Sequence, residues 1–155
     1  MSNELERIED WAAGLMTRLS AAQRRSINVK VGQALRRSQV KRITQQKQPD
    51  GSAYPARKQK KNLRGKRGRV KRRAMFLKLK GSRHLRTMAN TDAAQVGFLG
   101  KVARIARVHQ RGQNDRPAPD LPDVRYPRRE LLGFTVDDIE LVRDTLLKHL
   151  AGNSF

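Results

Sequence analysis

The chain has 155 residues, with 35 Lys and Arg against 14 Asp and Glu, and a formal net charge of +21. Apolar residues make up 37%, enough core for one modest domain or a domain with an arm, and so large a charge has little use in an ordinary small-molecule enzyme. Cysteine is absent, which excludes disulfides, thiolate zinc sites and cysteine nucleophiles.

The charge is unevenly placed. Residues 1–10, 11–91 and 92–155 carry net charges of −3, +23 and +1. The acidic start lacks the basic residues that open a signal peptide, and the longest apolar run, Trp11 to Met16, is too short to cross a bilayer. A soluble chain without membrane contact, made in a cytoplasm-like compartment, is expected.

Leu5, Ile8, Ala12, Leu15, Met16 and Leu19 recur at helical spacing and predict a first helix over about Asn3 to Leu19, with Trp11 beside the apolar stripe. Trp11 is a candidate interface residue, because exposed aromatics of this kind anchor partners. Ser20 and Gln23 form the S-x-x-Q pattern of a capping box and open a second helix, to about Gln46. Its apolar face is Ile27, Val31, Ala34, Leu35, Val40 and Ile43, and its solvent face is basic, including Arg36, Arg37, Lys41 and Arg42. Gly32 in mid-helix predicts a kink or a close helix contact.

Pro49, Asp50 and Gly51 end that helix in a turn, since Pro presets φ and Gly admits positive φ. A basic arm follows. From Arg57 to Arg73 there are 11 cations in 17 residues and no acid: Arg57, Lys58, Lys60, Lys61, Arg64, Lys66, Arg67, Arg69, Lys71, Arg72 and Arg73. Like charges repel, so the segment is expected to stay extended until a negative partner, DNA phosphate or an acidic protein surface, meets it. It holds no aromatic for base stacking, so any contact with nucleic acid runs through phosphate charge alone. The plainer alternative is a disordered, solubilising loop.

His84 to Ala89 and Ala93 to Phe98, separated by Asn90-Thr91-Asp92, predict a β-hairpin. A helix follows Gly100, with Val102, Ile105, Ala106 and His109 on one face and Gly112 as its stop. Residues 113–123 read as a loop, and Val124 to Tyr126 as a short edge strand halted by Pro127. Thr135 caps a final helix to about Leu150, with Asp137 and Asp138 in its favourable first turn and Val136, Ile139, Val142, Leu146 and Leu150 on its buried face. The fold class is α+β: long N-terminal helices, a small antiparallel sheet with a short helix, a C-terminal helix and an extended basic arm. The organisation is a helical region over 1–47, a turn and arm over 48–73, and an α+β core over 74–155.

No phosphate loop, dinucleotide fingerprint or nucleophile elbow is present, and no two His lie at H-x-x-x-H spacing. His109 reads as a core His with satisfied ring nitrogens rather than a general base. No catalytic residue, metal or cofactor is expected.

Two strings then become informative: I-A-R-V-H-Q-R-G over 105–112 and Y-P-R-R-E-L-L-G over 126–133. With Pro49-Asp50-Gly51 and Val96-Gly97-Phe98 upstream, the chain resembles the phage virion morphogenesis family of temperate contractile-tailed phages over residues 43–150. That family shows a P-D-G turn, a basic linker, a V-G-F strand, an I-A-x-x-H-Q-x-G helix end and a Y-P-x-R-x-L-L-G stretch. His109, Gln110, Gly112, Tyr126, Pro127, Arg128, Leu131, Leu132 and Gly133 are the motif positions; Arg128 is read as the motif arginine, and nothing is drawn from Arg129. The resemblance implies a non-enzymatic virion protein that completes the tail for joining to the head. It also implies a ring of copies, of hexamer type, around the tail axis near the DNA passage. The implied partners are further copies, neighbouring tail-terminator, tube or head-connector proteins, and double-stranded DNA through phosphates. The implied place is the tail–head junction of a virion assembled in the host cytoplasm. The alternative is a free-standing basic protein that contacts nucleic-acid phosphates without reading sequence.

Overall fold

A computed structural model describes residues 2–57 and 74–152. Four helices and two small antiparallel sheets give an α+β fold: α1 (Ser2–Met16), α2 (Ala21–Thr44), β1 (Leu85–Ala89), β2 (Ala94–Phe98), α3 (Lys101–Arg111), β3 (Asn114–Asp115), β4 (Val124–Arg125) and α4 (Val136–Gly152). Among the described residues no helix is long and apolar enough to cross a membrane.

The local signals act where the sequence places them. Ser20 Oγ accepts from the Gln23 N–H while Gln23 Oε1 accepts from the Ser20 N–H at 2.9 Å, so the two residues satisfy each other's exposed donors at the start of α2. Thr135 and Asp138 do the same for α4, each backbone N–H reaching the other's side chain at 3.0 Å. At the end of α3, Gly112 takes the left-handed conformation (φ 63°, ψ 45°), and the Gln113 N–H turns back to Val108 O at 2.9 Å.

The central element is α2, against which α4 and the β1–β2 hairpin pack. The hairpin register pairs Leu85 with Phe98, Thr87 with Val96 and Ala89 with Ala94. Alternation then turns these toward the protein and leaves Arg86, Met88 and Gln95 exposed. Ile27, Val31 and Leu35 of α2 meet Leu146 of α4 in one core cluster, with Ala94 and Val96 of β2 against it. A second cluster, Tyr54, Ala106 and Leu131 with Phe76 and Phe98 around it, sits under α3.

Gly32 serves a strand rather than a helix. A Cβ there would lie 2.3 Å from Thr87 Cγ2, and Thr87 Oγ1 donates to Gly32 O at 3.3 Å. The missing side chain lets β1 lie directly on the helix backbone. Polar groups of α2 fix the rest of the hairpin: Asn28 Nδ2 donates to Asn90 O at 2.9 Å and Arg36 Nε to Leu85 O at 2.7 Å.

Several expectations need correction. Ile105 and Val136 are 46% and 53% exposed, so they leave the faces on which helical periodicity puts them; Val108 is buried on α3 instead. The stretch 113–123 is not all loop, because Asn114–Asp115 pairs with Val124–Arg125 and closes it. The first helix stops at Met16, and Gly152 ends α4 from within. Arg42 does not sit on a solvated basic face: it is 7% exposed.

Candidate functional site

The distinctive strings of the sequence meet in space. His109 and Gln110 stand in the last turn of α3, and the strap 126–133 runs beside that turn. Gln110 clamps the strap through its side chain. Its Oε1 accepts from the N–H of Leu131 at 2.8 Å and of Leu132 at 3.0 Å, and its Nε2 donates to Leu132 O at 2.7 Å. These three bonds satisfy backbone groups that no strand partner reaches. Gly112 admits the strap closely, since a Cβ there would lie 3.1 Å from the Arg128 nitrogen. Tyr126 ties in by its N–H to Gln113 O at 3.1 Å.

The His109 ring packs edge-on against Phe76 and Tyr126, both with centroids at 4.9 Å. Its Nδ1 faces Arg129 Nη1 at 3.2 Å, which a neutral imidazole accepting the bond explains. Burial, then the charges of Arg129 and Arg57, push its pKa down to about 4. The unfolded chain therefore binds a proton between pH 6.5 and 4 that the native state refuses, and stability present above that window is lost as pH falls through it. His149, also pushed down by burial and by Lys30, acts in the same direction. The melting temperature of His109→Gln should fall less than that of the parent between pH 6.5 and 4; parallel curves would show that His109 is not the group refusing the proton.

Arg129 is the residue that sequence reading misplaces. Counting from Tyr126, the arginine of Y-P-x-R-x-L-L-G is Arg129, and Arg128 occupies the free place. The structure sets the two arginines apart. Arg128 is exposed and pairs with Glu130. Arg129 is 3% exposed and donates from Nε to Pro55 O at 2.8 Å and from Nη2 to Ala56 O at 3.0 Å, while its N–H reaches His109 O at 2.7 Å. It thereby fixes the chain immediately before the basic arm. The far side of the arm is fixed as well: Gln46 accepts from the Met75 N–H at 2.6 Å and donates to Met75 O at 2.9 Å. Arg57 is exposed at the root. The other arm cations, from Lys58 to Arg73, lie outside the described residues.

The Pro49-Asp50-Gly51 turn joins the same assembly. Gly51 N–H closes the turn onto Gln48 O at 3.0 Å, and Asp50 Oδ1 accepts from Ser52 N–H and Oγ at 2.8 and 2.6 Å. Pro49 lies against Gly133, and Gln48 Oε1 accepts from the Glu130 N–H at 3.1 Å. Pro127 is half-buried in the strap. Trp11 is on α1, 39% exposed and away from this assembly by element, since α1 packs on α4.

Two buried groups carry no sequence signal. Tyr54 is 6% exposed with its hydroxyl unpartnered, and burial pushes its pKa up to about 12. Arg42 pairs with Asp138 at 3.4 Å and also donates to Gly133 O and Leu131 O, both at 3.2 Å. Burial lowers the Arg42 pKa and the Asp138 charge opposes that. The Asp138 carboxylate is thus both a cap and a counter-ion. Among the described residues no group of three His, Cys, Asp or Glu could hold a metal ion.

What the assembly does chemically is hold shape: hydrogen bonds and packing join a helix end, a strap, a turn and both roots of the basic arm. Comparison with known proteins adds lineage. Residues 3–151 match the phage virion morphogenesis family. The chain is 42% identical over 149 residues to "Tail completion protein S" of Escherichia phage P2, covering 96% of this chain and 98% of that protein. No solved structure matches. A match over nearly the whole length, carried by strings that the fold gathers into one place, makes this chain a member of the phage virion morphogenesis family.

Proposed function

We propose that the chain is a non-enzymatic tail completion protein of a phage virion, acting where tail joins head as a ring of copies around the DNA passage. The observation that carries the reading is its 42% identity to the P2 tail completion protein over almost all of both chains. The fold supports it by hydrogen-bonding both roots of the basic arm to the motif assembly, so that each copy would present its arm from the same place. Phosphate attraction without base contacts would hold DNA and still let it slide. Copies each carrying +21 repel one another when free, so assembly would draw on DNA or an acidic neighbour.

A null mutant of the phage should accumulate heads and tails that do not join, seen by electron microscopy, with infectivity restored by the gene in trans. Rescue by a variant with Lys60, Lys61, Arg64, Arg67, Arg72 and Arg73 all changed to Gln should be weak, as it should be for the parent at raised salt. Joined, infectious particles in the null mutant would overturn the function. Full rescue by the Gln variant would reduce the arm to a solubilising loop.

A further inference from the structure

Helix α1 packs on α4 and the core cluster through Ala12 and Met16, and leaves Glu6, Asp10, Trp11 and Gly14 exposed. Five carboxylates elsewhere pair with arginines, whereas Glu6, Glu9 and Asp10 pair with no cation among the described residues. The helix dipole does not account for them, because its pull fades within the first turn and α1 begins at Ser2. Glu6 and Asp10 stand four residues apart, and Glu6 and Glu9 three, so like charges face one another along the helix. Trp11 beside them is 39% exposed. Gly14 weakens the helix, and a Cβ there would meet nothing within 4 Å, so no contact among the described residues requires a glycine. It leaves a notch beside Trp11. Helix α2 shows the opposite sign. Arg36 and Arg42 turn inward, to Leu85 O and to Asp138, while Arg37 and Lys41 are exposed and make no ion pair among the described residues.

We propose that the exposed face of α1 docks on the face of α2 that carries Arg37 and Lys41 in a second copy of this chain. Glu6 with Asp10, and Arg37 with Lys41, are like-charged pairs at the same i,i+4 spacing, about 6 Å along a helix. Docking sets the two pairs in register, and repulsion within each helix becomes attraction between them. Trp11 is the anchor: its ring covers the Arg37 guanidinium and the Lys41 stem, and Gly14 lets the second helix approach. Nucleic acid is repelled by the same acids. The two faces are different surfaces of one chain, so the contact runs head to tail, the kind that closes a ring or continues as a filament. The net charge of each copy opposes the encounter at long range, but at physiological salt that repulsion is screened beyond about 8 Å, while pairs in contact persist. Only the closure of a ring at the tail rests on the tail-completion reading.

The test is sedimentation velocity on the purified full chain, over a concentration series at about 0.15 M salt. The parent should associate as concentration rises. Trp11→Ala should associate about tenfold or more weakly, as loss of an aromatic anchor does. The double variants Glu6→Lys, Asp10→Lys and Arg37→Glu, Lys41→Glu should each stay monomeric, because like charges then meet at the contact. Mixed in equal amounts they should associate again, since each face of one then meets an opposite face of the other. A purely structural effect of the substitutions would not be repaired by mixing. The six-fold Gln variant of the arm should associate at least as well as the parent, having lost self-repulsion and none of the contact. A parent that stays monomeric up to about 1 mM, the weak end of specific binding, would overturn the proposal. So would association of the Arg37, Lys41 variant by itself, a mixture that stays monomeric, or an arm variant that no longer associates. If a double variant misfolds by circular dichroism, Trp11→Ala and Asp10→Asn decide, and association unchanged in both overturns the contact. Failure here leaves the null-mutant phenotype standing, and a normal null mutant leaves the self-association standing, so the two readings fall separately.

Discussion

Asp138→Ala should destabilise the protein by roughly 3–5 kcal/mol, the cost of breaking a buried ion pair from one side. Asp138 is fully buried, and its removal strands the Arg42 guanidinium without a counter-charge, held by carbonyls and by Gln39 alone. The same substitution deletes the side-chain half of the cap on α4, because Asp138 Oδ2 accepts the Thr135 N–H. Against a total stability of about 5–15 kcal/mol, a loss of this size is a large share, and the melting temperature should drop by on the order of 10 °C. Asp138→Asn preserves shape and an acceptor for Thr135 while removing the charge, so it should lose less than Asp138→Ala. Chemical denaturation measures both. An Asp138→Ala protein within about 1 kcal/mol of the parent, the range of an exposed ion pair, would show that the Arg42 contact is solvated in solution.

Leu131→Ala should cost about 2–5 kcal/mol, toward the upper part of that range. Leu131 is fully buried in the cluster with Tyr54 and Ala106. The cost of a truncated core side chain depends on how far the surroundings collapse into the hole. Here collapse is opposed, because Gln110 grips the Leu131 N–H and Arg42 the Leu131 O, pinning the backbone from both sides. Leu132, half-exposed and gripped by the same Gln110, provides the control: Leu132→Ala should lose clearly less. Equal losses at the two positions in urea titration would mean that the strap is not packed as described. Destabilisation at Leu131 should also loosen the arm roots, since Arg129 of the same strap holds Pro55 and Ala56.

Apart from β3, the elements were legible in the sequence because their causes are local. Helical periodicity, the Ser20–Gln23 capping box, the turn at Pro49-Asp50-Gly51, the hairpin around Asn90 and the glycine stop at 112 each depend on residues within one or two turns of one another. So did the family, whose strings keep their order and spacing along the chain. The uses of particular polar side chains were not legible. Arg42 looks like its neighbours Arg37 and Lys41 on a basic face, and Asp138 like an ordinary first-turn acid; they become a buried pair only because α4 packs across α2 and brings together residues 96 positions apart. Arg128 and Arg129 are adjacent and chemically identical, and the direction of the strap against α3 alone decides that Arg129 is buried on the Pro55 and Ala56 carbonyls while Arg128 meets solvent. Ile105 and Val136 obey the apolar period yet stay exposed, since a helix buries only the part of its stripe that a neighbour covers. Composition and local pattern therefore determined which elements form, β3 with its pairing to β4 excepted, and how the charge is divided among them. Tertiary packing decided which charges are desolvated, because desolvation depends on what lies against a side chain rather than on what precedes it in the chain.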